Sequence, residues 1–285
     1  MPTLSEKTLL TYRAQTFRTL PGQRITRREG AVEFVNQRGF VYFWPIKDIT
    51  LPSLWVAVAG DRPVADQHDD PGHVTWGWKD ALLGGREWYY AKVLRKKATM
   101  IAMHLAPCFY ALSENYGEPE EDYLTLYEQG RLTQEAKAVY EAVLDNGPLD
   151  TIALRKAARL TSHESDARFN KALADLQADF KLVPVAVAQA GAWRYAFVYD
   201  IVARHYPEIP EKARLISDNA AREELLKPYF HAVGAARTSD IIKLFHWRAA
   251  QVERAVRELV ASGFIQESVT LENQPGEWLG LAELV

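Results

Sequence analysis

The chain has 285 residues, 48% of them hydrophobic and 25% charged, which is enough for two or three small domains and too apolar for a disordered protein. Its formal charge of −3 argues against a strong non-specific nucleic-acid binder, because such proteins draw most of their affinity from neutralising phosphates. Any nucleic-acid contact must come from local basic patches.

A lone cysteine, Cys108, excludes an internal disulfide and a cysteine-rich zinc site. The first ten residues show no basic segment leading into an apolar core, and no apolar run approaches the roughly 20 residues of a membrane span. These features predict a cytoplasmic protein with no membrane partner. Eight Trp, thirteen Tyr and eleven Phe crowd especially between Phe40 and Tyr127. Most such rings fill cores, while exposed ones stack on bases.

Residues 26–39 predict a helix with Ala31, Val32, Phe34 and Val35 on one side and Gly39 at its end. An aromatic run from Phe40 to Trp44 then enters Pro45. Lys47 and Asp48 follow; a carboxylate here is a surface turn residue or, if enclosed, a general base. Residues 51–59 are apolar. Residues 66–72 form a polar loop. There His68, Asp69, Asp70 and His73 have metal-ligand residue types, but Pro71 and the lack of a helical frame favour a solvated turn and no metal.

Residues 88–103 suit a strand or a helix. Arg95, Lys96 and Lys97 lie close in sequence to Trp88, Tyr89, Tyr90 and Lys92. That mixture of charge and ring surface is what a single-stranded or distorted nucleic acid uses, or else it is a solvated basic face beside a core. Residues 114–122 are acidic, contain Gly117 and Pro119, and read as a linker.

The C-terminal half carries a repeat. Gly147, Thr151 and Lys156 recur as Gly234, Thr238 and Lys243, 87 positions on, and Leu176 recurs as Leu259. In each copy a first helix is periodic in apolar residues: Ala138, Val139, Ala142 and Val143, or Leu225, Leu226, Tyr229 and Phe230. The glycine ends it, and the threonine sits where a second helix needs its N-cap. A third helix carries Phe169, Leu173 and Leu176, or Val252, Val256 and Leu259. Strand-like runs follow at 182–187 and 193–199, or 264–271 and 277–281. Three helices and a hairpin make the winged-helix plan. The expected fold is therefore mainly α with small β-hairpins, in three tandem winged-helix domains: a divergent, aromatic-rich one at 1–125, then 126–210 and 211–285. No phosphate-cradling glycine loop, nucleophile elbow or dinucleotide fingerprint is present, and no cofactor is expected.

Gly147-Pro-Leu-Asp-Thr-Ile-Ala-Leu154, Ala172-Leu-Ala-Asp-Leu176, Trp193-Arg-Tyr195 with Tyr199-Asp200, and Ala221-Arg-Glu-Glu-Leu225 together resemble the winged-helix DNA glycosylases of the AlkZ/YcaQ type. The resemblance covers residues 130–285 and is weaker over 20–125. It implies tandem winged helices around a DNA-binding channel, with DNA, intact or damaged, as the partner. The family's C-terminal β-barrel is not expected here, since the sequence ends at Val285. The family's catalytic motif, Gln-x-Gln or Gln-x-Asp, corresponds to Phe43–Asp48, which holds neither glutamine; Asp48 alone stands for the acid. A His-Glu pair of the family has no counterpart around Lys96-Lys97-Ala98.

Three readings follow. The first is a DNA-binding relative of the glycosylases with altered or absent catalysis. Its phosphate contacts come from Arg168, Lys171, Arg254 and Arg257, and its other contacts from Trp44, Trp76, Trp78, Arg95 and Lys96. The second is an active glycosylase of shifted specificity, with Asp48 as the catalytic acid or base in a pocket of those tryptophans. The third is a protein-interaction scaffold that uses the acidic stretch at 118–122, with a protein as partner.

Overall fold

Side-chain caps set where several helices begin. In the computed structural model, which describes residues 2–191 and 194–285, Ser5, Ser53 and Thr133 each accept a hydrogen bond from a first-turn backbone N–H, which satisfies donors the helix itself cannot. The chain runs through β1 (Thr3–Leu4), α1 (Glu6–Thr16), α2 (Arg28–Arg38), β2 (Phe40–Tyr42), α3 (Leu54–Ala59) and α4 (Val74–Ala81). It continues through β3 (Tyr89–Lys92), β4 (Ala98–Ile101), α5 (Ala106–Ala111), α6 (Asp122–Glu128) and α7 (Gln134–Asn146). The first repeat gives β5 (Leu149–Asp150), α8 (Thr151–Ala157), α9 (Asp166–Ala178), β6 (Leu182–Ala188) and β7 (Ala196–Ile201). After α10 (Val202–His205) and α11 (Glu208–Ala213), the second repeat gives α12 (Asp218–Val233), β8 (Ala235–Ala236), α13 (Thr238–Phe245), α14 (Ala249–Ala261), β9 (Ile265–Leu271) and β10 (Glu277–Leu281). The protein is thus mainly α with small sheets.

Both repeats show the same order and the same pairing. The strand after the first helix pairs antiparallel with the last strand of the hairpin, Leu149 opposite Tyr199 in one copy and Ala236 opposite Leu279 in the other. Trp193, expected to open the first hairpin's second strand, lies outside the described residues. The N-caps fall one residue earlier than the threonines. Asp150 accepts from the N–H groups of Ile152 and Ala153 at 2.8 and 3.0 Å, which frees the Thr151 hydroxyl to donate to the Phe197 carbonyl at 3.0 Å. In the second copy the N-cap is Arg237, whose N–H donates to the Asp240 carboxylate at 2.9 Å.

Two compact units emerge, each built from separate stretches of the chain. One gathers Met1–Trp78, Thr99–Leu105 and Asp218–Val285; the other gathers Lys79–Ala98 and Ala106–Ser217. In the first, β1 adds in parallel to β9, with Thr3 opposite Thr270. There α1 also closes the end of α12: Tyr12 donates to the His231 carbonyl, Arg13 to those of Val233 and Ala235, and Thr16 to that of Ala232. All but the Ala235 bond satisfy carbonyls that a helix C-terminus leaves open. Apolar residues of α12 and α14, among them Leu225, Leu226, Phe230, Val252 and Leu259, are buried. At the α2–β2 junction Gly39 has φ of 77°, and a Cβ there would come within 2.7 Å of Leu105 and Pro228, so both backbone and space demand glycine.

In the second unit, Val139, Val143, Leu154, Phe169, Leu173, Leu176 and Ile201 share one core. The stretch expected as a linker is a folded turn within this unit. The Asp122 carboxylate accepts from the N–H groups of Tyr116, Gly117 and Glu118. The buried Lys181 donates to the Glu114 carbonyl at 2.9 Å and to the Asn115 side chain at 2.7 Å. Among the described residues no helix is long and apolar enough to cross a membrane.

Candidate nucleic-acid interface

Trp44 and Trp76 come together. Their rings lie 6.0 Å apart, both partly exposed, and Phe43 adds a ring 5.1 Å from Trp44. The loop after α3 completes the cluster. His73 sits 5.9 Å from Trp76 and 5.2 Å from the buried Trp55, while the exposed His68 approaches Trp76 edge-on at 6.4 Å. Gly72 lets this happen, since a Cβ there would come within 2.8 Å of the Trp55 ring. Asp70 fixes the turn by accepting from the Gly72 N–H at 2.7 Å and pairing with Arg62 at 2.6 Å. Asp66, Gln67, His68, Asp69 and Pro71 are exposed, as in a solvated turn, while Gly72 and His73 pack against the cluster. Among the described residues no three His, Cys, Asp or Glu side chains converge as a metal set; the His73 Nε2 instead faces the Ala65 carbonyl at 2.9 Å. Trp78 is also partly exposed.

Asp48 is exposed with φ of 61°, and its carbonyl oxygen accepts from Lys243 at 2.7 Å. A carboxylate in solvent lacks the enclosure that the general-base reading asks for.

The rings beside the Arg95–Lys97 triplet are mostly core. Trp88 and Tyr89 are buried, and Tyr89 stacks on Phe180 at 4.6 Å. Arg95 is partly exposed with φ of 57°, and Lys96 is exposed and paired with Asp175. Asp175 also takes Lys171, at 2.5 Å. Burial alone would raise the Asp175 carboxyl, but the two ammonium groups hold it below its usual value. Arg168 pairs with Glu135 at 2.9 Å. Arg254 and Arg257 are exposed on α14, and the shallow cleft holding Arg257 is lined also by Glu253, Glu267 and Glu277. Arg168, Lys171 and Arg257 thus stand among carboxylates, while Arg254 faces the Asn219 side-chain amide.

A second aromatic site escaped the sequence reading. Lys79, only 4% exposed, pairs with Asp80 at 2.7 Å and donates to the Tyr195 hydroxyl at 2.8 Å. Its ammonium lies 4.6 Å from the Phe197 ring centre and 5.5 Å from those of Tyr90 and Tyr195. The Tyr195 hydroxyl in turn donates to Asp80 at 2.9 Å. Burial pushes the Lys79 ammonium down, against the pull of Asp80. Cation, carboxylate and ring faces compensate one another here. The only signal in the sequence was Lys79-Asp80 following two tryptophans, which says nothing of Phe197.

The model of the AlkZ-related family matches residues 25–246. The chain belongs to the AlkZ-related family. Among solved structures it is similar to the Streptomyces sahachiroi DNA glycosylase AlkZ, with a TM-score of 0.59 and 14% identity over 99% of this chain and 71% of that one. At that identity the likeness is one of fold. No curated protein matches.

Proposed function

We propose that this chain is a nucleic-acid-binding relative of the alkylpurine and crosslink DNA glycosylases that engages DNA without the family's catalytic chemistry. The observation that carries the reading is membership of the AlkZ-related family over residues 25–246. The two repeats are read as winged helices, and residues 1–125 as a divergent third.

Excision of a base requires a group that positions water and stabilises cationic character at the sugar of an extruded nucleotide. The segment that corresponds to the family motif, Phe43–Asp48, offers no glutamine, and its one carboxylate is exposed. What that segment does offer is ring surface. Trp44 and Trp76, partly exposed and 6.0 Å apart, suit stacking on unpaired bases, which tolerates any sequence. The paired cations of α9 fit a protein of net charge −3 whose phosphate attraction is local and moderate.

The test is a titration of the protein's tryptophan fluorescence with single-stranded DNA, run beside a base-release assay on methylated duplex. Quenching on binding with no base released is the expected outcome. Base release abolished by Asp48→Asn would overturn the non-catalytic reading, and the absence of any DNA binding would retire the nucleic-acid reading altogether.

A further inference from the structure

A cleft of about 570 Å³ in the first unit has a lining that mixes polar and apolar groups and shares no residue with the aromatic cluster. Arg38 and Tyr12 form part of its wall, as do His104, His231 and Lys227. Arg38 is partly buried, yet its one described hydrogen bond is a long one, 3.5 Å from Nη1 to the His231 carbonyl. A guanidinium carries five N–H donors in a planar fork, so most of this one's donor capacity faces no acceptor among the described residues. A smaller cleft shares Arg38, Gln15, Thr16 and Gln37 with the first and adds Arg18.

The charges around Arg38 are mostly positive. Burial pushes its guanidinium below the ordinary value, the nearby Tyr12 raises it, and Arg18 lowers it further by repulsion. Of the carboxylates, Glu224 is tied to Lys227 at 2.5 Å, and Glu283 acts on Tyr12. No ion pair to Arg38 or Arg18 is present among the described residues. Two guanidinium groups brought together without a carboxylate, in a chain that is acidic overall, leave a deficit that an anion fills.

We propose that the Arg38 cleft binds the phosphate of a nucleotide, with the guanidinium of Arg38 as its bidentate donor and Arg18 as the second positive charge. Asn36, Gln15 and Gln37 border the same space and supply amide donors and acceptors for the rest of the ligand. The phosphate comes either from a free nucleoside monophosphate or from the backbone of a DNA strand. The second source rests on the function proposed above; the first does not.

The experiment titrates the full chain with deoxyadenosine monophosphate by calorimetry and, separately, with a labelled single-stranded oligonucleotide. Both titrations are repeated for Arg38→Gln, Asn36→Asp and Arg131→Gln. Asn36 is exposed, so its added charge opposes an anion without removing packing and covers the case in which Arg38→Gln does not fold. Arg131 is a salt-bridge residue of the other unit and controls for surface charge. Loss of about tenfold in affinity for either ligand with Arg38→Gln, a smaller loss with Asn36→Asp, and none with Arg131→Gln are expected. A loss confined to the mononucleotide identifies the free ligand, and one confined to the oligonucleotide identifies the backbone. If the mononucleotide binds and DNA does not, the cleft stands while the DNA-binding reading falls. Affinities unchanged by Arg38→Gln and Asn36→Asp, or no binding of either ligand by the wild type, overturn the proposal.

Discussion

Two aromatic assemblies in this protein use similar side chains to opposite ends. Around Trp44 and Trp76 the rings meet one another and remain partly exposed. Around Lys79 the rings of Tyr90, Tyr195 and Phe197 meet a cation, and a carboxylate completes the closure. Ring density alone therefore does not mark a binding surface. At Lys79 the rings close over a buried cation paired with its carboxylate, whereas the tryptophan pair keeps part of its ring surface exposed.

That contrast can be broken most forcefully at Asp80. Asp80→Ala leaves the Lys79 ammonium buried without its carboxylate and is expected to cost about 3 kcal/mol of stability, read by urea denaturation. A loss below about 0.5 kcal/mol would mean that the rings alone sustain the cation. At the other assembly, the double variant Trp44→Ala/Trp76→Ala should weaken single-stranded DNA binding by about 30-fold, or about 2 kcal/mol. Fluorescence anisotropy measures this, and an unchanged affinity would place the tryptophans in the core role instead.

Alkaline pH sharpens the comparison. Burial raises Tyr110 and Tyr206 to about 12. The stability tied to their neutral phenols is complete below about pH 10 and is lost as pH rises towards 12, at about 1.4 kcal/mol per pH unit for each group. Lys79 acts with the opposite sign. Because its value in the fold lies below the ordinary 10.5, the unfolded chain holds its proton longer, and stability rises with pH on the approach to 10.5 and levels off beyond it. The smallest effect is therefore Lys79→Met. This replacement removes the charge and keeps the volume, and should change stability at neutral pH by less than about 1 kcal/mol. Its difference from wild type should shift towards the wild type as pH approaches 10. A difference that does not move with pH would contradict the burial account of Lys79.

The repeat was legible in the sequence because its signals are local. Glycines end helices, apolar residues recur at helical spacing, and each hairpin begins shortly after its third helix. The residues expected on the third helices, Phe169, Leu173, Leu176, Val252, Val256 and Leu259, are all buried. In the first copy the cap was misplaced by one residue because Asp150 and Thr151 both carry capping oxygens, and only the position of the Phe197 carbonyl decides between them. The pairing of Thr3 with Thr270 joins the two ends of the chain and leaves no periodic trace. The Lys79 site depends on Tyr195, 116 positions away. For the same reason Trp88 and Tyr89 looked available for stacking, although Phe180 already occupies one face of Tyr89.

Each third helix carries as many carboxylates as cations, and Lys171 of α9 shares Asp175 with Lys96, so these helices exert no strong general attraction on phosphate. That balance also sets what a DNA complex of this chain should look like: moderate in its salt dependence and reliant on unpaired bases. The most direct test is fluorescence anisotropy across a salt series with three labelled DNAs, namely an intact duplex, a single strand and a duplex with an abasic-site analogue. The account predicts tighter binding to the single strand and the abasic duplex than to the intact duplex, with affinity falling as salt rises. No binding to any of the three at low salt would contradict it.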